Sequence, residues 1–255
     1  MILLTKETFL HHEAHVWYLF HSGFAIKTPN HFIVFDYYKD TPVRQPPCLE
    51  TGVINPSEIQ NNAVLVFSSH SHYDHFNPTI LKWRTRIKDI TYILSSDIKE
   101  KQADDILFVS QGNHYDVNGV QVDVLGSTDI GVSFLVGIDG LTIFHSGDLN
   151  WWHWKEASEN ENLQMKIGYK TQIDLLKGKK IDLAFIPVDP RLEEFYMLSL
   201  DYFMKTAGAA MVFPMHFSDN FLIFEMLKRD ASTKDYYTKI VNITHRGQQF
   251  IYKPV

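Results

Sequence analysis

Only one cysteine, Cys48, occurs in 255 residues, so no disulfide can form within the chain. It follows Gln45-Pro46-Pro47, which reads as a loop, and nothing beside it marks a reactive thiol. No apolar run approaches the roughly 20 residues of a membrane-spanning helix. The first residues lack the charged start and apolar core of a secretory leader. A cytoplasmic protein with no membrane partner is therefore expected. Positive charge is sparse as well: 24 Lys and Arg against 30 Asp and Glu leave a net charge of −6. With no basic stripe, a general binder of nucleic acid or anionic membranes is excluded. No low-complexity tract, tandem repeat or linker divides the chain, and a single domain over residues 1–255 is expected.

With 45% hydrophobic and 14% aromatic residues, material for a large core is ample. Strand-like runs are expected over 16–20, 24–27, 32–36, 63–67, 91–94, 106–109, 120–125, 132–137 and 141–145. Asn77-Pro78 reads as a cap and first turn of a helix with Ile80, Leu81, Trp83 and Ile87 on its apolar face. Helices over 160–177 and 200–207, and one capped by Asp219 and running to Lys228, alternate with strands over 181–186, 210–213, 240–243 and 249–252. Each half is strand-rich first and then alternates helix with strand, which suggests two sheets with helices outside them.

Chemically capable residues recur at strand ends. The densest group is His70-Ser71-His72-Tyr73-Asp74-His75, with three imidazoles and a carboxylate in six residues after an apolar strand. Neutral imidazole nitrogens and carboxylate oxygens are donors for borderline divalent metals. Asp36, Asp148 and His216 follow other strands, and parallel strands gather such positions at one edge.

The order HxHxDH, then His145-Ser146-Gly147-Asp148, then Pro214-Met215-His216 resembles the metallo-β-lactamase superfamily. Phe20-His21-Ser22-Gly23-Phe24 and a strand-terminal Asp36 are similar to its ascorbate-6-phosphate-lactonase-like branch. The resemblance spans nearly the whole chain. It implies a four-layer αββα sandwich of the α/β (α+β) class, two β-sheets faced by helices. It also implies that His70 and His72 belong to one metal position and Asp74, His75 and His216 to a second. Asp148 would bridge the two, and Asp36 would brace the histidine loop without binding metal. One or two divalent ions are implied, zinc first, with manganese, iron or nickel also suited. The family's further histidine before the Gly-Asp motif is missing. Leu125-Gly126-Ser127-Thr128-Asp129 stands there, and either Asp129 or Thr128 takes its place; His114 falls too early.

The activity implied is hydrolysis of a small-molecule ester, lactone, amide or phosphoester by metal-bound hydroxide. Asp74 would position the nucleophile, and His145 would orient Asp148, contact substrate, or serve as a hydrogen-bonding residue. Trp151, Trp152 and Trp154 either wall the pocket or anchor a loop. Arg191 either recognises an anionic substrate group or makes a surface salt bridge. His21 is placed at the site's edge. Other readings are a metal-binding scaffold or sensor with weakened catalysis and an iron redox protein. A nuclease or a secreted β-lactamase is disfavoured. Oligomerisation is left open, no seam being evident.

Overall fold

A computed structural model describes residues 13–254; residues 1–12, including His11 and His12, and residue 255 lie outside the described residues. Two β-sheets pack face to face. The first contains β1 (Ala14–Phe20), β2 (Gly23–Lys27), β3 (His31–Phe35), β4 (Ala63–Ser68), β5 (Ile90–Ser95) and β6 (Ile106–Val109), with a short helix α1 (Pro56–Ile59) entering β4. The second contains β7 (His114–Val117), β8 (Val120–Gly126), β9 (Val132–Ile138), β10 (Leu141–His145), β11 (Leu183–Pro187) and β12 (Met211–Met215). Helices α2 (Glu159–Asp174), α3 (Leu198–Thr206) and α4 (Ile223–Arg229) belong to the second half, and β13 (Gln249–Tyr252) returns to the first sheet. The strand orders are β13-β1-β2-β3-β4-β5-β6 and β12-β11-β10-β9-β8-β7. This is the expected αββα arrangement. Among the described residues no helix is long and apolar enough to cross a membrane.

Period-two alternation creates the layers. Ile33, Phe35, Leu65 and Phe67 pack into the core between the sheets, while Phe32, Val34, Val64 and Val66 pack into a second core on the outer face of the first sheet. Where β3 runs parallel to β4, and β10 and β12 flank β11 in parallel, the carboxyl ends of all five strands are brought to one rim.

Four local readings differ from the structure. Residues 78–85 form 3₁₀ turns rather than an α-helix, because the buried pair Ile80 and Trp83 is spaced by three and a three-residue period aligns them. The helix ending near Lys228 starts at Ile223 with no side-chain cap; Asp219 lies earlier, in a turn where its backbone carbonyl accepts Phe221 N–H at 3.0 Å. Residues 240–243 make only an isolated bridge, Val212 to Ile240. Strand β7 had no apolar alternation to reveal it, but Asn118-Gly119, with φ of 54° and 88°, is the turn that builds its hairpin.

Phe67 ties the sheets together, lying 4.8 Å from Phe35 in its own sheet and 5.1 Å from Phe134 in the other. Phe67→Ala is expected to cost about 3–5 kcal/mol, seen as a lower urea midpoint at unchanged slope. A loss below about 1 kcal/mol would contradict this packing.

Candidate metal centre

Asp36 follows β3 in the left-handed region (φ 43°) and is fully buried. Its Oδ1 accepts Ser69 N–H at 2.7 Å, and its Oδ2 accepts the Ser69 hydroxyl and His75 Nδ1–H, each at 2.7 Å. Burial alone would raise its pKa, but His75 and His145 hold it below the usual carboxylate range. An ionised carboxylate only accepts, so Ser69 gives its proton to Asp36 and must accept from His70 Nδ1–H, 2.9 Å away. On the other sheet, Asp189 after β11 accepts His216 Nδ1–H at 2.9 Å and is also gripped by Arg191. Three imidazoles thus carry protons on Nδ1 and turn their Nε2 atoms inward, that of His70 lying 3.0 Å from His72 Nδ1. Metal-binding histidines are oriented in this way.

All three face Asp148. Its Oδ1 lies 3.2 Å from His75 Nε2 and 3.3 Å from His216 Nε2, and its Oδ2 3.6 Å from His70 Nε2. His75 Nε2, Asp148 Oδ1 and His21 Nε2 are buried with no hydrogen-bond partner among the described residues. Buried partnerless atoms between imidazoles and a carboxylate call for a positive charge there, a proton or a metal ion. Burial disfavours charge on His216, yet Asp148 and Asp189 push its pKa up to about 10. Burial would raise Asp148, but His216 and His75 hold it far below the ordinary value. Ligand atoms lie within 4.8 Å of one another in three groups: His21, Asp74, His75 and His216; His70, His75 and Asp148; His72, Asp129 and Asp148. The orphaned atoms and the nitrogen and oxygen donor set fit one or two divalent cations.

Two glycines let the loops close. A Cβ on Gly131 (φ 82°) would stand 2.1 Å from Ser69 O and 2.4 Å from His70 Cβ, and one on Gly147 (φ 52°) 2.6 Å from Ser69 Cβ. Both loops therefore press against the residue that links Asp36 to the histidine motif.

His70, His72, Asp74, His75, Asp129, Asp148 and His216 thus come together at one rim. Asp129 Oδ2 is 3.8 Å from His72 Nδ1. Thr128 is turned away, its hydroxyl donating to Asn150 O at 2.6 Å and accepting Asn150 N–H at 2.9 Å. His145 is not brought into the cleft. Its Nε2 donates to Ser22 O at 2.9 Å, its Nδ1 accepts Gly147 N–H at 3.2 Å, and its ring stacks on Phe35 at 4.7 Å. His114 lies on β7, bonded to Asp123. Trp152 and Trp154 stack with parallel rings and, with Met165 and Arg191, line a cavity of about 360 Å³ over the metal-capable groups. Trp151 instead packs against α2 and α3, near Tyr169, Lys170 and Tyr202. A larger cavity of about 490 Å³ beyond Trp154 holds none of the clustered donors. Asp189, Ser69, Gly131 and Gly147 were not singled out from the sequence. For Asp189 only a weak signal existed: it lies two residues past the end of a strand, whereas Asp36 directly follows one.

The Beta-lactamase superfamily domain matches residues 15–165. Among solved structures, Igni18, a novel metallo hydrolase from the hyperthermophilic archaeon Ignicoccus hospitalis, is similar at a TM-score of 0.64 with 13% identity, over 95% of this chain and 100% of its own. The metallo-beta-lactamase fold protein YhfI from Bacillus subtilis is similar at 0.61 with 13% identity, over 94% and 99%. CmlA, a diiron beta-hydroxylase from Streptomyces venezuelae, is similar at 0.59 with 9% identity, over 97% of this chain but 55% of its own. At such identities the likeness is one of fold. No curated protein matches the sequence.

The site also sets a pH dependence for the metal-free protein. Burial, with neighbouring imidazoles, pushes His70 down to about 4 and His21 to about 2, against 6.5 when unfolded. Groups lowered on folding stabilise above the unfolded pKa and lose that contribution as pH falls through the folded one. His216, raised to about 10, has its full effect below 6.5 and adds no slope there. Chelator-treated protein should therefore lose stability steadily from pH 6.5 to 4, measured by urea midpoints. A flat profile across that window would show that these histidines are not buried neutral.

Proposed function

The chain belongs to the beta-lactamase superfamily, and from that premise we propose that it is a single-domain metal-dependent hydrolase acting on a small anionic molecule. The observation that carries the proposal is the convergence of three carboxylate-oriented or serine-oriented imidazoles on the buried Asp148, with partnerless atoms between them. His70, His72 and Asp129 would hold one cation, Asp129 standing where the family's further histidine is missing. Asp74, His75 and His216 would hold a second, and Asp148 would be shared. Zinc is the proposed metal, and manganese, iron or nickel also suit nitrogen and oxygen donors.

A divalent ion there lowers the pKa of a water towards about 7 and polarises a carbonyl or phosphoryl oxygen. The chain's own groups do the rest. Asp74, with about a quarter of its side chain exposed on the cavity wall, would orient the attacking water as well as hold metal. Trp152 and Trp154 exclude solvent from one side. Arg191, held by Asp189 through Nε and Nη2, presents the rest of its guanidinium at the cavity and stacks over Trp154 at 5.8 Å, where it would receive a carboxylate or phosphate. His145, held by backbone on both ring nitrogens, positions the Gly147–Asp148 turn and takes no proton from substrate. The Phe20–Phe24 turn and the Asp36 brace favour the ascorbate-6-phosphate-lactonase-like branch, with a lactone, ester, amide or phosphoester as the bond broken.

Protein purified without chelator should hold about two metals per chain and hydrolyse members of a panel of lactones, esters and phosphoesters. Asp148→Ala should abolish both metal retention and turnover, and undiminished turnover would sink the proposal. Arg191→Ala should raise KM for anionic substrates about 10- to 100-fold, the loss of one charge-assisted hydrogen bond, and leave neutral analogues unchanged. The resemblance to a diiron hydroxylase gives a second reading, favoured if iron-loaded protein consumes oxygen and hydrolyses nothing.

A further inference from the structure

The geometry points to His21 as an additional metal ligand that closes the second position, so that the two metals are held unequally and load in order. The inference rests on the metallohydrolase reading above.

His21 occupies the tight turn between β1 and β2 with φ 58°, a left-handed conformation uncommon outside glycine. Its surroundings are the segment that carries His216. His21 N–H donates to the Tyr18 hydroxyl at 2.9 Å, which donates to Ser218 O at 2.7 Å, and His21 O accepts His216 N–H at 3.1 Å. Ser218 Oγ engages His21 Nδ1 at 3.1 Å, which leaves Nε2 pointing inward. That atom is buried, has no hydrogen-bond partner among the described residues, and lies 3.5 Å from Asp74 Oδ2. The His21 ring centre is 4.0 Å from that of His216 and 5.7 Å from that of His75. Imidazoles crowded this closely beside a carboxylate are the arrangement in which one cation can draw several lone pairs together.

Exposure separates the two positions. The donors of the second are mostly enclosed: side-chain exposures are 8% for His21, 0% for His75, 3% for His216 and 26% for Asp74. At the first, His70 is fully buried, but His72 and Asp129 are 47% and 40% exposed. Solvent reaches exposed donors and satisfies them, whereas enclosed donors depend on a bound cation, so filling the second position gains more free energy. The second metal is thus the retained one. The first is exchangeable and open to the cavity.

The test uses the full chain and zinc alone, with a chromophoric chelator as competitor. His21→Asn is the informative variant, because asparagine tolerates left-handed backbone and the turn is kept. Wild type should show one tight and one weak zinc. His21→Asn should weaken the tight zinc by more than about 100-fold, beyond the 10- to 100-fold lost with a residue that only orients a ligand, and leave the weak one unchanged. His72→Ala should do the reverse. With cobalt(II) as probe, the visible bands of the first equivalent should change in His21→Asn, return on adding imidazole, and be unaffected in His72→Ala. Weakening below 100-fold, or cobalt bands like those of wild type, would assign His21 a hydrogen bond to Asp74 and overturn the inference while leaving the hydrolase reading standing. Wild type that binds no metal at all would overturn both.

Discussion

A carboxylate with no exposure to water, Asp36, is the constraint on which the site depends. Alone it would be costly, since an ion is poorly solvated between two sheets. Three donors offset that cost: Ser69 N–H, the Ser69 hydroxyl and His75 Nδ1–H. Each does a second job. The backbone bond fixes where the chain leaves β4. The hydroxyl, committed to Asp36, can only accept from His70. The imidazole bond fixes the proton on His75 Nδ1 and bares its other nitrogen. One buried charge thus decides which atoms of two histidines face the cleft, without touching the cleft itself.

The opposite sheet repeats the device with Asp189, which orients His216 and anchors Arg191. Between the two carboxylates the chain accepts strain. Four residues other than glycine, His21, Asp36, His216 and Ser218, have φ between 43° and 66°, and all flank the site. Such conformations persist only where packing over-determines them. The supply lies beneath: Phe35, Phe67, Phe134, Phe185 and Phe213, all fully buried, form a continuous aromatic layer under the rim. A rigid floor allows loops to hold donors at fixed separation with no ligand to organise them.

What was legible in the sequence was local. Strands announced themselves by alternation, and HxHxDH by ligand spacing, because both signals fall within a few residues. His145 shows the limit of reading strand ends by proximity. It continues the alternation of Leu141 and Ile143 into the core between the sheets, so it stacks on Phe35 while Asp148, three residues on, enters the cleft. Period two, applied to the last residue of the strand, would have placed it. Asp189 was hidden for another reason. Its partner His216 lies 27 residues away, and only the parallel register of β11 with β12 makes them neighbours. His21 is farther still from His216, and its place follows from a turn held by Ser218.

Charge gives the cleft its order of events. Asp36, Asp74, Asp129, Asp148 and Asp189 gather around the clustered imidazoles, and Arg191 and His216 line the cavity with them. Five carboxylates face one guanidinium and the His216 imidazole, whose pKa, despite burial, Asp148 and Asp189 push up to about 10. A proton on His216 therefore offsets part of the negative charge that a metal would otherwise meet. On the proposed metal-dependent reading a divalent cation displaces that proton as it takes the imidazole's lone pair, and a bound cation then dominates the local field. With carboxylates still in excess of cations at the metal-free rim, anionic molecules are disfavoured there. On that same reading, recognition of an anion by Arg191 is expected to strengthen once metal is bound.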